Sequence, residues 1–331
     1  MKTLFLGSVN ERSGKSMVAL GLALNHPKKV GYFKPFRETL RTDGDRLIDQ
    51  DAYLMKHALG LKADEEQLSP FAYDIYKPVT MDQIMESYKA VQEPGRDMLV
   101  EGTRDILIGF LHNISGMAIA EAIDADVVLV SARQPGSMDK LIMLTQLLQS
   151  YKINFKGVIL NMSFKPEARA LLEERGIKVL GSIPAAPELK HFTVREVADA
   201  LSAKVIVEEG FFNNVEDVMI GAMQPEAAIK FMRRMARKAL ITGGDRTDIL
   251  MAALATDTSC LVLTGGLYPD KQVIAKAYES RVPVLLTSHD TLHTAELIDH
   301  LIARIDPDNK KKIEKIKHLV ADNVDLKAIW G

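Results

Sequence analysis

Cysteine is nearly absent from this sequence: among 331 residues there is one, Cys260. A single thiol forms no intramolecular disulfide, and the chain reads as one suited to a reducing, cytoplasmic compartment. Cys260 stands in the apolar run Cys260-Leu261-Val262-Leu263, where a small buried hydrophobe is its expected role. An excess of one charge is lacking too. With 42 basic against 44 acidic side chains the formal net charge is −2. That balance excludes a broad basic footprint for nucleic acid and a polybasic membrane signal. The densest basic run, Lys310-Lys311-Lys312 with Lys315 and Lys317, reads as a solvated helix face. No apolar run approaches the ~20 residues of a membrane span. Met1-Lys2-Thr3-Leu4-Phe5-Leu6 turns polar too soon for a secretory leader. What remains is an ordinary globular composition, 47% hydrophobic and 26% charged, long enough for about two domains.

Short apolar runs alternate with helical patterns. Strands are expected at 3–7, 30–34, 98–101, 127–131, 157–161 and 179–183, with helices at 17–24, 118–123, 138–149 and 166–175. Most of these runs are continuously apolar, as in parallel strands covered on both faces. The alternation predicts an α/β fold built on a doubly wound, mostly parallel sheet. A second series restarts after about residue 205. Its strands are expected at 205–208, 218–221, 238–242, 260–264 and 284–287, and its helices at 225–236, 248–255, 270–279 and 291–303. The boundaries follow from that restart: 1–205, a smaller α/β domain at 206–320, and a tail at 321–331. The segment from Asp306 reads as one basic amphipathic helix followed by a polar end.

The most informative segment is Gly7-Ser8-Val9-Asn10-Glu11-Arg12-Ser13-Gly14-Lys15-Ser16, placed after a strand and before a helix. That context belongs to a phosphate-binding P-loop. Backbone N–H groups of Asn10, Glu11, Arg12, Ser13, Gly14, Lys15, Ser16 and Met17 cradle phosphates. Lys15 neutralises the terminal oxygens, and the Ser16 hydroxyl ligates Mg²⁺. The spacing departs from G-x-x-x-x-G-K-[ST], because Val9 stands where the first glycine belongs. Mg²⁺ takes oxygen ligands, commonly one or two carboxylates beside the phosphates. Glu101 closes an apolar run at a strand C-terminus, where open α/β sheets place ligands. The plainer alternative for Glu101 is a solvated strand-end acid.

The chain here resembles the dethiobiotin synthetase group of P-loop proteins, which bind Mg-ATP. The likeness is carried by the loop, by Lys34-Pro35 after the second strand, and by Val100-Glu101-Gly102 after the third. It implies that Lys34 points into the active site. It also implies a metal shell of Ser16, Glu101 and an aspartate matched best by Asp51, with Asp49 a substitute and Asp43 and Asp45 nearby as possible plain loop acids. Asn161 would read the adenine, and Gly181-Ser182-Ile183-Pro184 would lie against it; a strand-end asparagine is equally a common turn residue. One departure stands out. Thr103-Arg104-Asp105 replaces the group's glycine-rich acceptor segment, so the acceptor pocket does not carry over.

In the second half, Gly243-Gly244-Asp245-Arg246-Thr247-Asp248, Leu263-Thr264-Gly265-Gly266-Leu267-Tyr268-Pro269 and Ser288-His289-Asp290-Thr291 resemble the DRTGG domain. Tight β–α turns with acidic caps are the simpler account of these loops. His289 and His293 are too isolated to form a metal site. The order of modules resembles the non-catalytic N-terminal region of long phosphotransacetylases, with no acetyltransferase domain expected after the tail. That resemblance implies a Mg-ATP-binding regulatory or signalling protein, acting on a small-molecule effector or a partner metabolic enzyme. The competing expectation is an ATP-dependent ligase that activates a carboxylate or carbamate with Lys15, Lys34, Asp51 and Glu101. A homodimer through the DRTGG-like domain is also expected, with Leu267-Tyr268-Pro269 on its surface.

Overall fold

The continuous apolar runs of the first half become the strands of one parallel sheet: β1 Thr3–Ser8, β2 Gly31–Phe33, β3 Met98–Glu101, β4 Asp126–Ala132, β5 Asn154–Asn161 and β6 Val179–Ser182. Their spatial order is β6-β5-β4-β1-β3-β2. Successive residues such as Leu4, Phe5 and Leu6 are all buried, because both faces of the sheet are covered by helices. Among these helices are α1 Lys15–Leu24, α2 Gln50–Leu59, α3 Met81–Val91, α4 Gly116–Ala122, α5 Ser137–Leu148 and α6 Pro166–Glu173. The computed structural model of the protein describes residues 1–43, 46–162, 164–302 and 305–331. Asp45, one of the alternative acids, and Ala303, the expected end of the helix from Thr291, lie outside the described residues.

The stretch between β2 and β3 carried no expected element. It holds α2 and α3, an antiparallel pair of strands Leu40–Asp43 and Arg46–Asp49, and the parallel pair Phe36–Arg37 with Phe71–Ala72. These segments are short, amphipathic or mixed in charge. Asp49 caps α2, its Oδ1 accepting from the backbone N–H of Asp51 and Ala52 at 3.0 Å each. That cap fixes where the helix starts and which acids face inward.

A second unit comprises α7 Val194–Ala200, β7 Lys204–Val207, β8 Asp217–Ile220, α8 Pro225–Met232, β9 Lys238–Gly243, α9 Thr247–Leu254, β10 Thr258–Thr264, α10 Lys271–Ser280, β11 Val284–Leu286 and α11 Thr291–Ile302. The sheet runs β7-β11-β10-β9-β8, parallel except for β7, which pairs antiparallel with β11. Alternate residues feed two cores. Leu240, Leu261 and Leu263 pack on one side, and Ala239, Ile241, Cys260 and Val262 on the other. Cys260 is fully buried, and burial pushes its thiol up to about 12.

The compact units are Met1–Ala185 with Ile305–Gly331, and Ala186–Arg304. The sequence pattern puts the division near 205 and a tail at 321–331. The difference has a physical cause in the C-terminal segment, which folds as α12 Lys310–Asn323 and α13 Leu326–Trp330 within the first unit. α12 packs on α1 at Gly21, where an added Cβ would stand 2.3 Å from Val320 Cγ2. Asn25 Nδ2 donates to the Lys317 carbonyl at 2.8 Å. Val324 bridges Gly181 of the edge strand β6, and Asp325 N–H donates to Leu180 O at 2.8 Å. The expected polar end is therefore a short helix with Ile329 buried, and the segment covers an otherwise open sheet edge.

Candidate functional site

β1 delivers the chain to the C-terminal edge of the sheet at Ser8. Val9 is fully buried and its N–H donates to Val130 O at 3.0 Å. This explains the departure from the usual glycine spacing: position 9, just past the strand, still bonds to β4 and supplies core packing. Ser8 Oγ donates to the Asn10 carbonyl at 2.7 Å and is also hydrogen-bonded to the Ser13 hydroxyl. Arg12 (φ 55°) and Gly14 (φ 76°) take left-handed conformations, the second immediately before α1 begins at Lys15. Such alternation turns successive N–H groups inward, and the first-turn donors of α1 add to them.

Two side chains from the start of α1 meet the end of β3. Lys15 Nζ donates to Glu101 Oε1 at 2.9 Å, and Ser16 Oγ donates to the same oxygen at 2.7 Å. Glu101 is fully buried, so a solvated strand-end acid does not describe it. Its other oxygen, Oε2, accepts from the Tyr32 hydroxyl at 2.8 Å. Burial, reinforced by the neighbouring charge of Glu101, holds the Tyr32 phenol well above its ordinary value.

Lys34 follows β2 and is completely buried. Its ammonium lies 3.2 and 3.0 Å from the two Asp49 oxygens and 2.6 Å from Asp51 Oδ2. Burial by itself would lower the Lys34 pKa, but Asp51 and Asp49 reverse that and hold it well above the lysine range. Burial tends to raise Asp51; Lys34 and Lys15, with hydrogen bonds from Lys34 and Ser16, outweigh it and lower the carboxyl. For Asp49 burial wins over Lys34, and its carboxyl is raised. Ser16 therefore stands between two carboxylates, Glu101 and Asp51, each backed by a buried lysine.

Asn161 ends β5 and Pro184 follows two residues after the end of β6, and Ile183 N–H donates to Leu160 O at 2.7 Å between the two strands. Pro184 is exposed, whereas Asn161 is buried. The Asn161 amide is engaged with the loop: Nδ2 donates to Ser13 O at 2.8 Å, and Oδ1 accepts from Met162 N–H at 2.9 Å. Gln134 Nε2 adds a second tie, to Glu11 O at 2.9 Å. Around the rim, Arg104 N–H donates to Glu38 Oε1 at 2.6 Å, and its guanidinium lies 3.5 Å from Glu38 and 3.8 Å from Glu11. Asp105 pairs with Lys140. The substituted segment Thr103-Arg104-Asp105 is thus an ion-paired wall.

Sequence reasoning missed Tyr32, the cap formed by Asp49, and Glu38. One signal was available for Tyr32. It lies two residues before Lys34, which puts both on the same side of an extended chain.

In the second unit the Gly243-Gly244 turn lies against the next loop. An added Cβ at Gly244 would fall 1.8 Å from Leu267 O. Thr264 and Thr291 hydroxyls are 3.0 Å apart, and the rings of His289 and His293 meet edge-on at 4.7 Å. Among the described residues no three His, Cys, Asp or Glu side chains gather as a metal cluster. The hydroxyl and two carboxylates around Ser16 are nevertheless all hard oxygen donors, the set that suits Mg²⁺. Among the described residues, too, no helix is long and apolar enough to cross a membrane.

A family model described as AAA domain matches residues 2–193, and one described as DRTGG domain matches residues 196–301. The phosphate acetyltransferase of Nitratidesulfovibrio vulgaris is 28% identical over a 363-residue alignment that covers 97% of this chain and 50% of its own length. The ATP-dependent dethiobiotin synthetase of Nitrosopumilus maritimus is 26% identical over 218 residues, covering 60% of this chain and 95% of its own. Among solved structures, a ParA family ATPase from Chlorobium tepidum aligns with a TM-score of 0.40 and 13% identity, covering 57% of this chain and 86% of that one. The chain spans about half the length of the curated phosphate acetyltransferases it matches.

Proposed function

The chain belongs to the AAA domain family, whose model spans residues 2–193, and on that premise we propose that its first unit binds ATP with Mg²⁺ and serves a regulatory role. The observation that carries this reading is the convergence of Lys15 and Ser16 on Glu101, with Asp51 and Lys34 directly behind. In this reading the N–H groups of residues 10–17 hold the phosphates, and Lys15 leaves Glu101 for a terminal oxygen. Ser16, Asp51 and Glu101 hold the cation. Bound Mg²⁺ supplies charge neutralisation at the phosphate oxygens. Asn161 shapes the loop, and Pro184 flanks the base. The same two-module order in the matched half of phosphate acetyltransferases supports regulation over group transfer. The burial of Lys34 between two aspartates supports it too, since a ligase would need that charge on a phosphorylated acceptor.

Calorimetry tests the core of the proposal. Wild type should bind Mg-ATP, and Lys15→Ala should bind at least tenfold more weakly, about 1.4 kcal/mol or more, at a temperature where thermal unfolding shows both proteins still folded. Equal affinities would remove the P-loop assignment. ADP release that depends on an added carboxylic acid would replace regulation with ligase chemistry.

We further propose a homodimer formed through the second unit, on whose surface Leu267 and Tyr268 are exposed. Light scattering should give twice the chain mass for wild type and a monomer for Leu267→Asp/Tyr268→Asp. A monomeric wild type would refute it.

A further inference from the structure

The two oxygens of Glu101 have different partners. Oε1 receives Lys15 and Ser16, at 2.9 and 2.7 Å, both from the phosphate-loop helix. Oε2 receives the Tyr32 hydroxyl at 2.8 Å from the neighbouring strand β2. A phenol has a single O–H to donate, and Tyr32 is 1% exposed. Of the two oxygens, only Oε1 is in contact with the loop side. Were Lys15 to turn to a phosphate, Oε1 would keep only Ser16 on the loop side, and Oε2 would stay with Tyr32.

A carboxylate held in this way offers one oxygen to a cation. Mg²⁺ accepts single oxygens at octahedral positions, whereas Ca²⁺ takes six to eight ligands at longer range and readily uses both oxygens of a carboxylate. We propose that Tyr32 is a specificity-determining positioning residue that makes Glu101 a one-oxygen ligand, so that the nucleotide site selects a small octahedral divalent cation over Ca²⁺. This inference rests on the Mg-ATP reading above. The distinguishing chemistry is local: Tyr32→Phe keeps the ring in the core and removes only the hydroxyl. A phenol that merely filled space would leave metal preference untouched.

The experiment is ATP binding by calorimetry with Mg²⁺ alone or Ca²⁺ alone, on the 331-residue wild-type chain and Tyr32→Phe, alongside thermal unfolding of both. Wild type should favour Mg²⁺ over Ca²⁺. In Tyr32→Phe the ratio of the two affinities should fall by about tenfold or more, tenfold being the lower end of what the loss of one hydrogen bond to a charged group produces. An unchanged ratio in a folded Tyr32→Phe overturns the inference while leaving the nucleotide reading intact. Wild type that binds ATP equally well with either cation overturns it too, whether or not the variant folds. Wild type that binds ATP with neither cation refutes the nucleotide reading first, and this inference falls with it.

Discussion

The side-chain amide of Asn161 donates to the carbonyl oxygen of Ser13 across 2.8 Å, fastening the end of β5 to the phosphate loop. The fit is close: a Cβ added at Gly14 would lie 2.3 Å from that same amide nitrogen. An asparagine that the family resemblance assigns to the base therefore gives one of its two N–H donors to the loop. Asn161→Ala should weaken ATP binding by about tenfold, through loss of a buried hydrogen bond, and leave the ratio of ATP to GTP affinity unchanged. A selective loss of ATP affinity would instead restore the base-reading role.

Lys34 neutralises Asp49 and Asp51 in a buried setting. Removing it in Lys34→Met takes away the buried ammonium between two carboxylates, at a cost of about 3–5 kcal/mol at neutral pH. The sign of the pH dependence follows from the shifts. Asp51 is lowered in the folded protein, so its contribution is present above the unfolded carboxylate value and is lost as pH falls through the folded one. Lys34 is raised, so its contribution persists up to the alkaline range and is lost only above it. The deficit of Lys34→Met should therefore be greatest near neutrality and shrink only by about pH 3, below the unfolded carboxylate value of about 4. Urea denaturation at both pH values measures this; the same deficit at both would mean that lost packing, not charge, is the cause.

Glu101 is paired with Lys15. In Glu101→Gln the shape is kept and the charge removed, so Lys15 is freer to meet phosphate while the cation loses a ligand. Metal-free ATP should bind somewhat more tightly than to wild type, and the gain on adding Mg²⁺ should shrink by about tenfold or more. Titration of ATP with and without Mg²⁺ gives both numbers. An unaltered Mg²⁺ gain would remove Glu101 from the cation's ligands.

Gly21 lets α12 lie directly on α1. Gly21→Ala forces Val320 aside and should destabilise the protein by about 1–3 kcal/mol through overpacking, partly offset by the better helix propensity of alanine. Val320→Ala in the same chain should recover most of the loss. Failure of that rescue in urea denaturation would mean that the helices do not meet at this point.

The elements that sequence pattern located well were the buried strands. β3 was read at its observed limits, and β1, β4 and β5 within a few residues. Each is a continuous apolar run whose neighbours are punctuated by polar turns. The region between β2 and β3 was not legible, because α2 starts at an Asp49 cap among several acids and its apolar face is short. Within the site, the convergence of Lys15 and Ser16 on Glu101 agrees with residues singled out by motif. The pairing of Lys34 with both Asp49 and Asp51 does not follow from sequence, since each acid alone could have been a loop charge.

Sequence by itself determined the phosphate loop, the parallel character of the sheet and the order of the two modules. These depend on local conformation: glycine and lysine at a helix start, apolar strands covered on both faces, and repeated β–α alternation. Tertiary structure alone decided that Asn161 secures Ser13, that Tyr32 takes one oxygen of Glu101, and that residues 305–331 return to the first unit. Those relationships join residues far apart in the chain, and a single sequence carries no record of which distant partner a buried hydrogen-bonding group will find. They are set when the sheet closes and each buried polar group must be satisfied by whatever the fold has brought beside it.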